Sequence, residues 1–302
     1  MNAISTSSLT KYYTTGKFSL HKKKSRGILD LNLTVDEGDF FGFIGPNGAG
    51  KSTAIRTLLG LISPSSGKAE IFGIDISKQK NEILSMVGYM PSESFFYRSM
   101  KVKDIIKLSA NLRKKDCTDT AEELCKRLSL DTEKKISELS LGNRKKVSIV
   151  CALQHMPKLC ILDEPTSGLD PLIQREFYAI LEERNKNGCT IFLSSHVLSE
   201  VQRYCKHAAV IREGKLLVSD SVKTLGHTKA KRITVRGIQK PPALPHIKDI
   251  QKNGDTLHFL YSGKLDLLLE SLAKLPLTDI SITEPDLEEI FLHYYEKGDA
   301  SI

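Results

Sequence analysis

No stretch of this 302-residue sequence is long and apolar enough to span a bilayer. The longest run free of Asp, Glu, Lys and Arg, Asn187 to Ser199, is 13 residues, whereas a spanning helix needs about 18 to 20 mostly apolar ones. The first ten residues, Met1 to Thr10, are uncharged and polar, without the basic-then-apolar order of a secretory leader. Both absences point to a cytosolic protein unless something else carries it to a membrane. The six cysteines (Cys117, Cys125, Cys151, Cys160, Cys189 and Cys205) include no C-x-x-C pair, and no His/Cys cluster has zinc spacing. A disulfide scaffold is thereby excluded, and the thiols read as reduced, small hydrophobes. There is no internal repeat and no low-complexity tract beyond the basic run Lys17 to Arg26. What is present is ordinary for a globular chain: 40% apolar and 26% charged residues, in a length of about two domains at roughly 150 residues each. The net charge of +8 favours an anionic partner such as a nucleotide, a nucleic acid or an acidic lipid surface.

Short apolar runs alternate with helical patterns: Phe40 to Ile44 before a glycine loop, Leu159 to Leu162 before two acids, Thr190 to Leu193 before Ser-Ser-His. Strands buried on both faces of a parallel sheet read as continuous apolar runs, so this pattern predicts an α/β core. Between Met100 and Leu139 the spacing turns helical, with Val102, Ile105, Ile106, Leu108, Leu112, Leu124, Leu128 and Leu130 as its apolar positions. This segment is expected to be a helical insert. Arg212-Glu213-Gly214-Lys215 predicts a hairpin turn closing the first domain. Beyond it lies an expected small α+β domain, 226–302: a strand Arg232 to Val235, a hairpin turning at Asn253-Gly254, then two helices. The second of these helices is predicted to start near Thr283, where Thr-Glu-Pro-Asp supplies a capping hydroxyl, a proline in the first turn and an acid.

Gly45-Pro46-Asn47-Gly48-Ala49-Gly50-Lys51-Ser52-Thr53 matches G-x-x-x-x-G-K-[ST] directly after an apolar strand. Average residue usage gives on the order of one accidental match in a hundred chains of this length. The glycines let backbone amides turn inward around phosphate, Lys51 reaches the β/γ-phosphates, and Ser52 suits Mg²⁺. The run Leu159 to Leu162 ends in Asp163 and Glu164, which places two carboxylates at the sheet edge where ligands of open α/β sheets bind. Asp163 suits Mg²⁺ coordination, and Glu164 suits polarising the water that attacks a γ-phosphate.

With those motifs in place, Leu139-Ser140-Leu141-Gly142-Asn143 resembles the Leu-Ser-Gly-Gly-Gln signature of ABC ATPases, and Ser167-Gly168-Leu169-Asp170 resembles their D-loop. His196 stands after the next apolar strand, as the family's switch histidine does. The resemblance spans about residues 3 to 220 and is nearest to the ATPase subunits of ABC-2 type exporters, whose C-terminal extension often ends in Leu-Glu-Glu-Ile-Phe, here Leu287 to Phe291. It implies a P-loop NTPase (RecA-like) core with an antiparallel β subdomain and a helical insert at about 95–145, together forming an ATP-binding domain over 1–225. It implies ATP and Mg²⁺ as ligands, with Tyr13 rather than Tyr12 against adenine, and Glu164, His196 and Lys51 as the hydrolytic residues. It further implies a sandwich dimer in which Ser140, Gly142 and Asp170 of one copy complete the P-loop site of the other. The implied partner is a separately encoded transmembrane subunit, which would hold the protein peripherally on the cytoplasmic face of the membrane.

Some residues depart from the family pattern. Ser92 stands where the Q-loop glutamine, a metal-site residue, is expected, so the serine acts through water or Glu93 shifts in. Leu141 and Asn143 replace two signature residues. Phe95-Phe96-Tyr97 either packs the insert or grips the membrane partner, and the basic run 17–26 either contacts lipid headgroups or is a solvated loop. Lone histidines such as His155 and His207 read as structural. The competing reading is a soluble ABC ATPase acting on ribosomes or nucleic acid, suggested by the +8 charge. It is disfavoured because the chain holds one cassette and only 88 residues separate Lys51 from Ser140; no nucleic-acid partner is expected.

Overall fold

The computed structural model describes residues 1–15, 23–226 and 230–283. The chain divides into two compact units, Met1–Val222 and a second beginning at Lys223. In the first, the three apolar runs become members of one six-stranded sheet. Its order is Lys215–Ser221, His207–Arg212, Phe40–Ile44, Thr190–Ser195, Leu159–Asp163, Val87–Met90. All pairings among the last five strands are parallel, and only the edge hairpin is antiparallel. Every residue of Phe40–Ile44, Leu159–Asp163 and Thr190–Ser195 is buried, as strands covered on both faces require. The edge hairpin turns at Glu213 and Gly214, with φ of 48° and 78°. Positive φ at both central residues is the type I′ geometry whose twist matches the flanking strands.

An antiparallel sheet, ordered Lys23–Leu31, Asn2–Thr15, Ser66–Ile71, Ile74–Asp75, with Thr34–Asp36 also paired to Asn2–Thr15, packs against the parallel one. Ile4, Leu9, Ile28 and Ile71 share a core with Phe41, Phe43, Phe192 and Ile211, and Phe41 stacks on Phe192 with ring centroids 5.9 Å apart. Helix Leu141–Leu153 lies against strand Val87–Met90. Their approach depends on Gly88, where a Cβ would come 2.2 Å from the carbonyl oxygen of Ala152.

The insert holds helices Val102–Leu112 and Thr118–Arg127 and a short 3₁₀ turn, Ile136–Glu138. Val102, Ile105, Ile106, Leu124, Leu128 and Leu130 are buried, but Leu108 and Leu112 are 37% and 77% exposed. The buried stripe of the first helix runs through Val102, Ile105, Ile106 and Ala110; at 100° per residue Leu108 falls on its far side, and Leu112 sits on the last turn. Arg127 ties the insert to helix Pro171–Lys186, donating to Glu176 Oε1 at 2.6 Å and to Glu183 Oε1 at 2.8 Å.

The second unit contains an antiparallel sheet ordered Ile247–Asn253, Thr256–Tyr261, Lys231–Arg236, Asp279–Thr283, with helix Leu265–Leu272. Ile233, Val235, Leu257, Phe259, Tyr261 and Leu268 form its core. The hairpin turns one residue later than the Asn-Gly dipeptide suggests: Asn253 pairs with Thr256, leaving Gly254 and Asp255 as the loop. Gly254 then takes the left-handed position, φ 61°, where the absence of a Cβ costs least. Strand Asp279–Thr283 was not foreseen, and Thr283 closes it. The expected helix beyond it and the segment Leu287 to Phe291 lie outside the described residues, as does most of the basic run.

His155 and His207 both serve the fold. His207 Nδ1 lies 2.8 Å from Asp39 Oδ2. His155 is 2% exposed, with Nε2 3.3 Å from the carbonyl of Val87. Burial, aided by the nearby Arg113 cation, pushes its imidazole from 6.5 down to about 4. The unfolded chain therefore takes up this proton first, so the stability contributed by neutral His155 is complete above its unfolded value and is lost as the pH falls toward the folded one. Urea unfolding at pH 7 and pH 5 should show the wild type losing about 2 kcal/mol more than His155→Gln between the two pH values. Equal losses would remove His155 as the cause.

Candidate active site

The site is built where three neighbouring strands end. From Phe40–Ile44 the chain enters the glycine loop, in which Gly48 and Gly50 take left-handed φ of 82° and 107°. Helix Lys51–Leu58 starts at once, with Gly50 as its N-cap, so free amides and the positive end of the helix dipole face the same concavity. Lys51 is 5% exposed and folds back over the loop, donating to the carbonyls of Gly45 at 2.5 Å and Pro46 at 3.3 Å. Ala49 is buried and donates its amide to the Pro46 carbonyl at 3.1 Å.

From Leu159–Asp163 come the two acids, which face different partners. Asp163, 1% exposed, accepts from Ser52 Oγ at 2.7 Å on Oδ2 and from Ser194 Oγ at 2.9 Å on Oδ1. A buried carboxylate is tolerated when its oxygens are supplied with donors in this way. Glu164 leaves the strand with φ 51°, a left-handed conformation uncommon for a side-chain-bearing residue. The turn presents its carboxylate to two basic groups, with Oε1 3.2 Å from Lys51 Nζ and Oε2 2.5 Å from His196 Nδ1. His196 arrives from the end of Thr190–Ser195 and is half exposed.

The loop residues Pro46, Asn47, Gly48, Gly50, Lys51, Ser52 and Thr53 line one cleft of about 340 Å³ together with Tyr13, Ser92 and Glu164. The structure thus brings the P-loop, the Glu164 carboxylate and residue 92 to a single cleft, with Asp163 and His196 held to it by the contacts above. Tyr13, not Tyr12, lines it, its hydroxyl 3.2 Å from Thr53 Oγ1 and Lys11 Nζ 5.7 Å from its ring centroid. Arg26 and Gly27 complete the wall and were not anticipated. Arg26 pairs with Glu213 at 3.9 Å, and a Cβ on Gly27 would come 2.9 Å from the Tyr13 ring. Neither carries a local motif, so only the pairing of Lys23–Leu31 with Asn2–Thr15 brings them here.

The signature and D-loop residues stand outside this cleft. Ser140 is exposed and caps helix Leu141–Leu153, its Oγ accepting from the Asn143 amide at 3.3 Å. Asp170 caps helix Pro171–Lys186, accepting from the Ile173 amide at 3.0 Å. A Cβ on Gly142 would come 2.8 Å from the Gly168 carbonyl oxygen, so the two segments lie side by side. Of the three aromatics, Phe95 and Tyr97 are 88% and 69% exposed, whereas Phe96 is half-buried.

Lys145, four residues into the same signature helix, was not singled out from sequence. It is 4% exposed. Its Nζ donates to the Ser92 carbonyl at 2.7 Å and to the Glu164 carbonyl at 2.9 Å. Burial pushes this ammonium below its ordinary value, while the charges of Asp163, Glu164 and Glu93 act in the opposite direction.

Comparison with known proteins agrees with this geometry. The ABC transporter family model matches residues 28–167. The bacitracin transport ATP-binding protein BcrA of Bacillus licheniformis is 41% identical over 221 residues, covering 71% of this chain and 68% of that protein. An uncharacterised ABC transporter ATP-binding protein of Synechocystis, sll0415, is 29% identical over 301 residues, covering 96% and 84%. Among solved structures, an ATP-binding subunit of an ABC transporter superposes with a TM-score of 0.65 at 26% identity, covering 74% of this chain and 91% of that one. The dimeric cassette MJ0796 has the same fold at a TM-score of 0.65 and 22% identity, covering 72% and 98%.

Ser194 supplies one of the two hydroxyls on Asp163. Replacing it by Ala leaves a buried carboxylate oxygen without that donor and should cost about 1 to 3 kcal/mol of unfolding free energy. Denaturant unfolding at pH 7 checks this; a change within error would show that solvent satisfies Asp163 instead.

Proposed function

Because this chain belongs to the ABC transporter family as an ATP-binding, ATP-hydrolysing subunit, we propose that it powers an ABC-2 type exporter. It closes as a dimer around ATP and reopens after hydrolysis. The observation that carries the reading is the row Lys51, Glu164 and His196 beside Ser52 and Asp163, at distances of 2.5 to 3.2 Å. In that row Glu164 takes the proton of the attacking water as oxygen bonds to the γ-phosphorus and the bond to ADP breaks. Lys51 neutralises the β/γ-phosphate charge, and His196 holds the water and carboxylate in register.

Mg²⁺ fits the donor set: Ser52 Oγ and Asp163 Oδ2 are hard oxygens 2.7 Å apart. This ion ordinarily takes one or two protein groups, waters and substrate phosphates rather than a protein cage. Bound there, it would neutralise triphosphate charge. Ser92 is the third protein group at this position, through its side chain or a water.

The dimer reading rests on Ser140, Gly142 and Asp170 lying outside their own chain's cleft, with Ser140 and Asp170 exposed and Gly142 half-buried beside Gly168. There they are free to complete the site of a second copy, or of a related ATPase chain. The exposed Phe95 and Tyr97 provide an apolar seat for a separately encoded transmembrane subunit. Docking there would hold the protein on the cytoplasmic face of the membrane; no helix of the described residues is itself long and apolar enough to cross it. The expected accessory domain, 226–302, corresponds to the second unit, which begins at Lys223. Bacitracin transport for the relative BcrA, and probable multidrug transport for the relative YbhF of Escherichia coli, support an exporter.

Glu164→Gln tests the reading. ATP affinity should stay within about threefold, while turnover should fall by about 10² to 10⁴, the span of a lost general base. The variant should sediment as a dimer with ATP and Mg²⁺, and from detergent-solubilised host membranes it should recover a polytopic membrane protein at near-equal amounts. An unimpaired rate would remove Glu164 from its role, and recovery of ribosomes or DNA instead would replace the exporter reading.

A further inference from the structure

The contact of Lys145 with two backbone carbonyls joins three elements that lie far apart in sequence. One is the first half of the signature helix Leu141–Leu153. The second is the loop after strand Val87–Met90, at Ser92. The third is the turn after strand Leu159–Asp163, at Glu164. The turn at Glu164 is held on both sides: its amide donates to Ser194 O at 2.9 Å, and its carbonyl accepts from Lys145 Nζ at 2.9 Å. With φ 51°, this residue occupies a strained conformation that persists only when its surroundings fix it. The direction of the carboxylate toward Lys51 and His196 follows from that backbone conformation.

Resting on the reading of Glu164 as the hydrolytic base, we propose that Lys145 is a positioning residue for hydrolysis. It holds the Glu164 turn in its left-handed conformation and couples it to the signature helix and the residue-92 loop. In this chain the link between that loop and the catalytic carboxylate therefore runs through a signature-helix ammonium and two main-chain carbonyls. The side chain of Ser92 is too short to make it. A lysine is suited to the task because its single terminal nitrogen serves both carbonyls at once, at 2.7 and 2.9 Å. Any shift of the signature helix, as on approach of a second copy, is then transmitted to Glu164 by a buried contact of fixed geometry.

The test is steady-state ATPase kinetics with Mg²⁺ on the full chain for Lys145→Met, Lys145→Arg, Glu164→Gln and the double variant Lys145→Met/Glu164→Gln. Equilibrium binding of a fluorescent ATP analogue is measured alongside. Lys145→Met should lower kcat about 10- to 100-fold, the effect of misplacing a reacting group by about 1 Å, with KM and nucleotide affinity changed less than threefold. Lys145→Arg should recover at least a third of the wild-type kcat. The double variant should be no slower than Glu164→Gln alone, because the two residues act through one carboxylate. Multiplying defects in the double variant, a KM effect equal to the kcat effect, or wild-type kcat in Lys145→Met would each overturn the proposal. If Glu164→Gln itself hydrolyses normally, the reading of Glu164 fails, and a kcat defect in Lys145→Met would then identify a different target. Should the methionine variant not fold, Lys145→Gln is measured in its place: its neutral amide sits on a shorter side chain that cannot serve both carbonyls, so kcat should fall in the same direction, and a wild-type kcat would overturn the proposal.

Discussion

Two carboxylates at the end of one fully buried strand set the terms for the rest of the first unit. An ion brought out of water is costly unless donors and countercharges surround it, and Asp163 at 1% exposure has little water to call on. The sheet order answers that requirement. Strand Thr190–Ser195 lies between the P-loop strand and the acidic strand, in a register that sets Ser194 opposite both Phe43 and Asp163. One neighbour thus donates a hydroxyl to Asp163 and, two residues on, a histidine to Glu164. The P-loop helix contributes Ser52 and Lys51 from the other side. The non-sequential strand order is what gathers the partners of the two adjacent acids.

The same argument separates what could be read in the sequence from what could not. The glycine loop and the acids were legible because their chemistry lies within a few consecutive residues and the strand before each is an unbroken apolar run, and His196 through the resemblance, which implies a histidine after the next apolar strand. Ser194, Arg26, Gly27 and Lys145 were not, since each acts across a pairing or packing contact that the local sequence does not encode. Lys145 reads as one more basic residue in Arg144-Lys145-Lys146, and only the approach of the helix to Gly88 and to the acidic turn buries it. Periodicity erred in the insert for a related reason. It marks a stripe but not its width, so Leu108 and Leu112 entered the apolar series although the stripe that faces the core excludes them. In the second unit the Asn-Gly dipeptide signalled a hairpin correctly, yet strand pairing moved the turn one residue so that Gly254 rather than Asn253 took the positive φ.

Charge balance within the cleft has a consequence for the order of events. Glu164 is paired with Lys51 and His196 at once, so the group read as the base is occupied by the cation that a γ-phosphate needs. A terminal phosphate carries more negative charge than a carboxylate and brings several acceptor oxygens, and Lys51 already sits within the loop that would cradle it. Under the proposed roles, arrival of nucleotide would draw Lys51 from Glu164 and leave the carboxylate paired with His196. The backbone of Glu164 is held independently of that side-chain pairing, by Ser194 and Lys145. Under the proposed role of Glu164, activation of water would then follow nucleotide binding, because a carboxylate paired with a lysine cation is a weaker proton acceptor than one released from it.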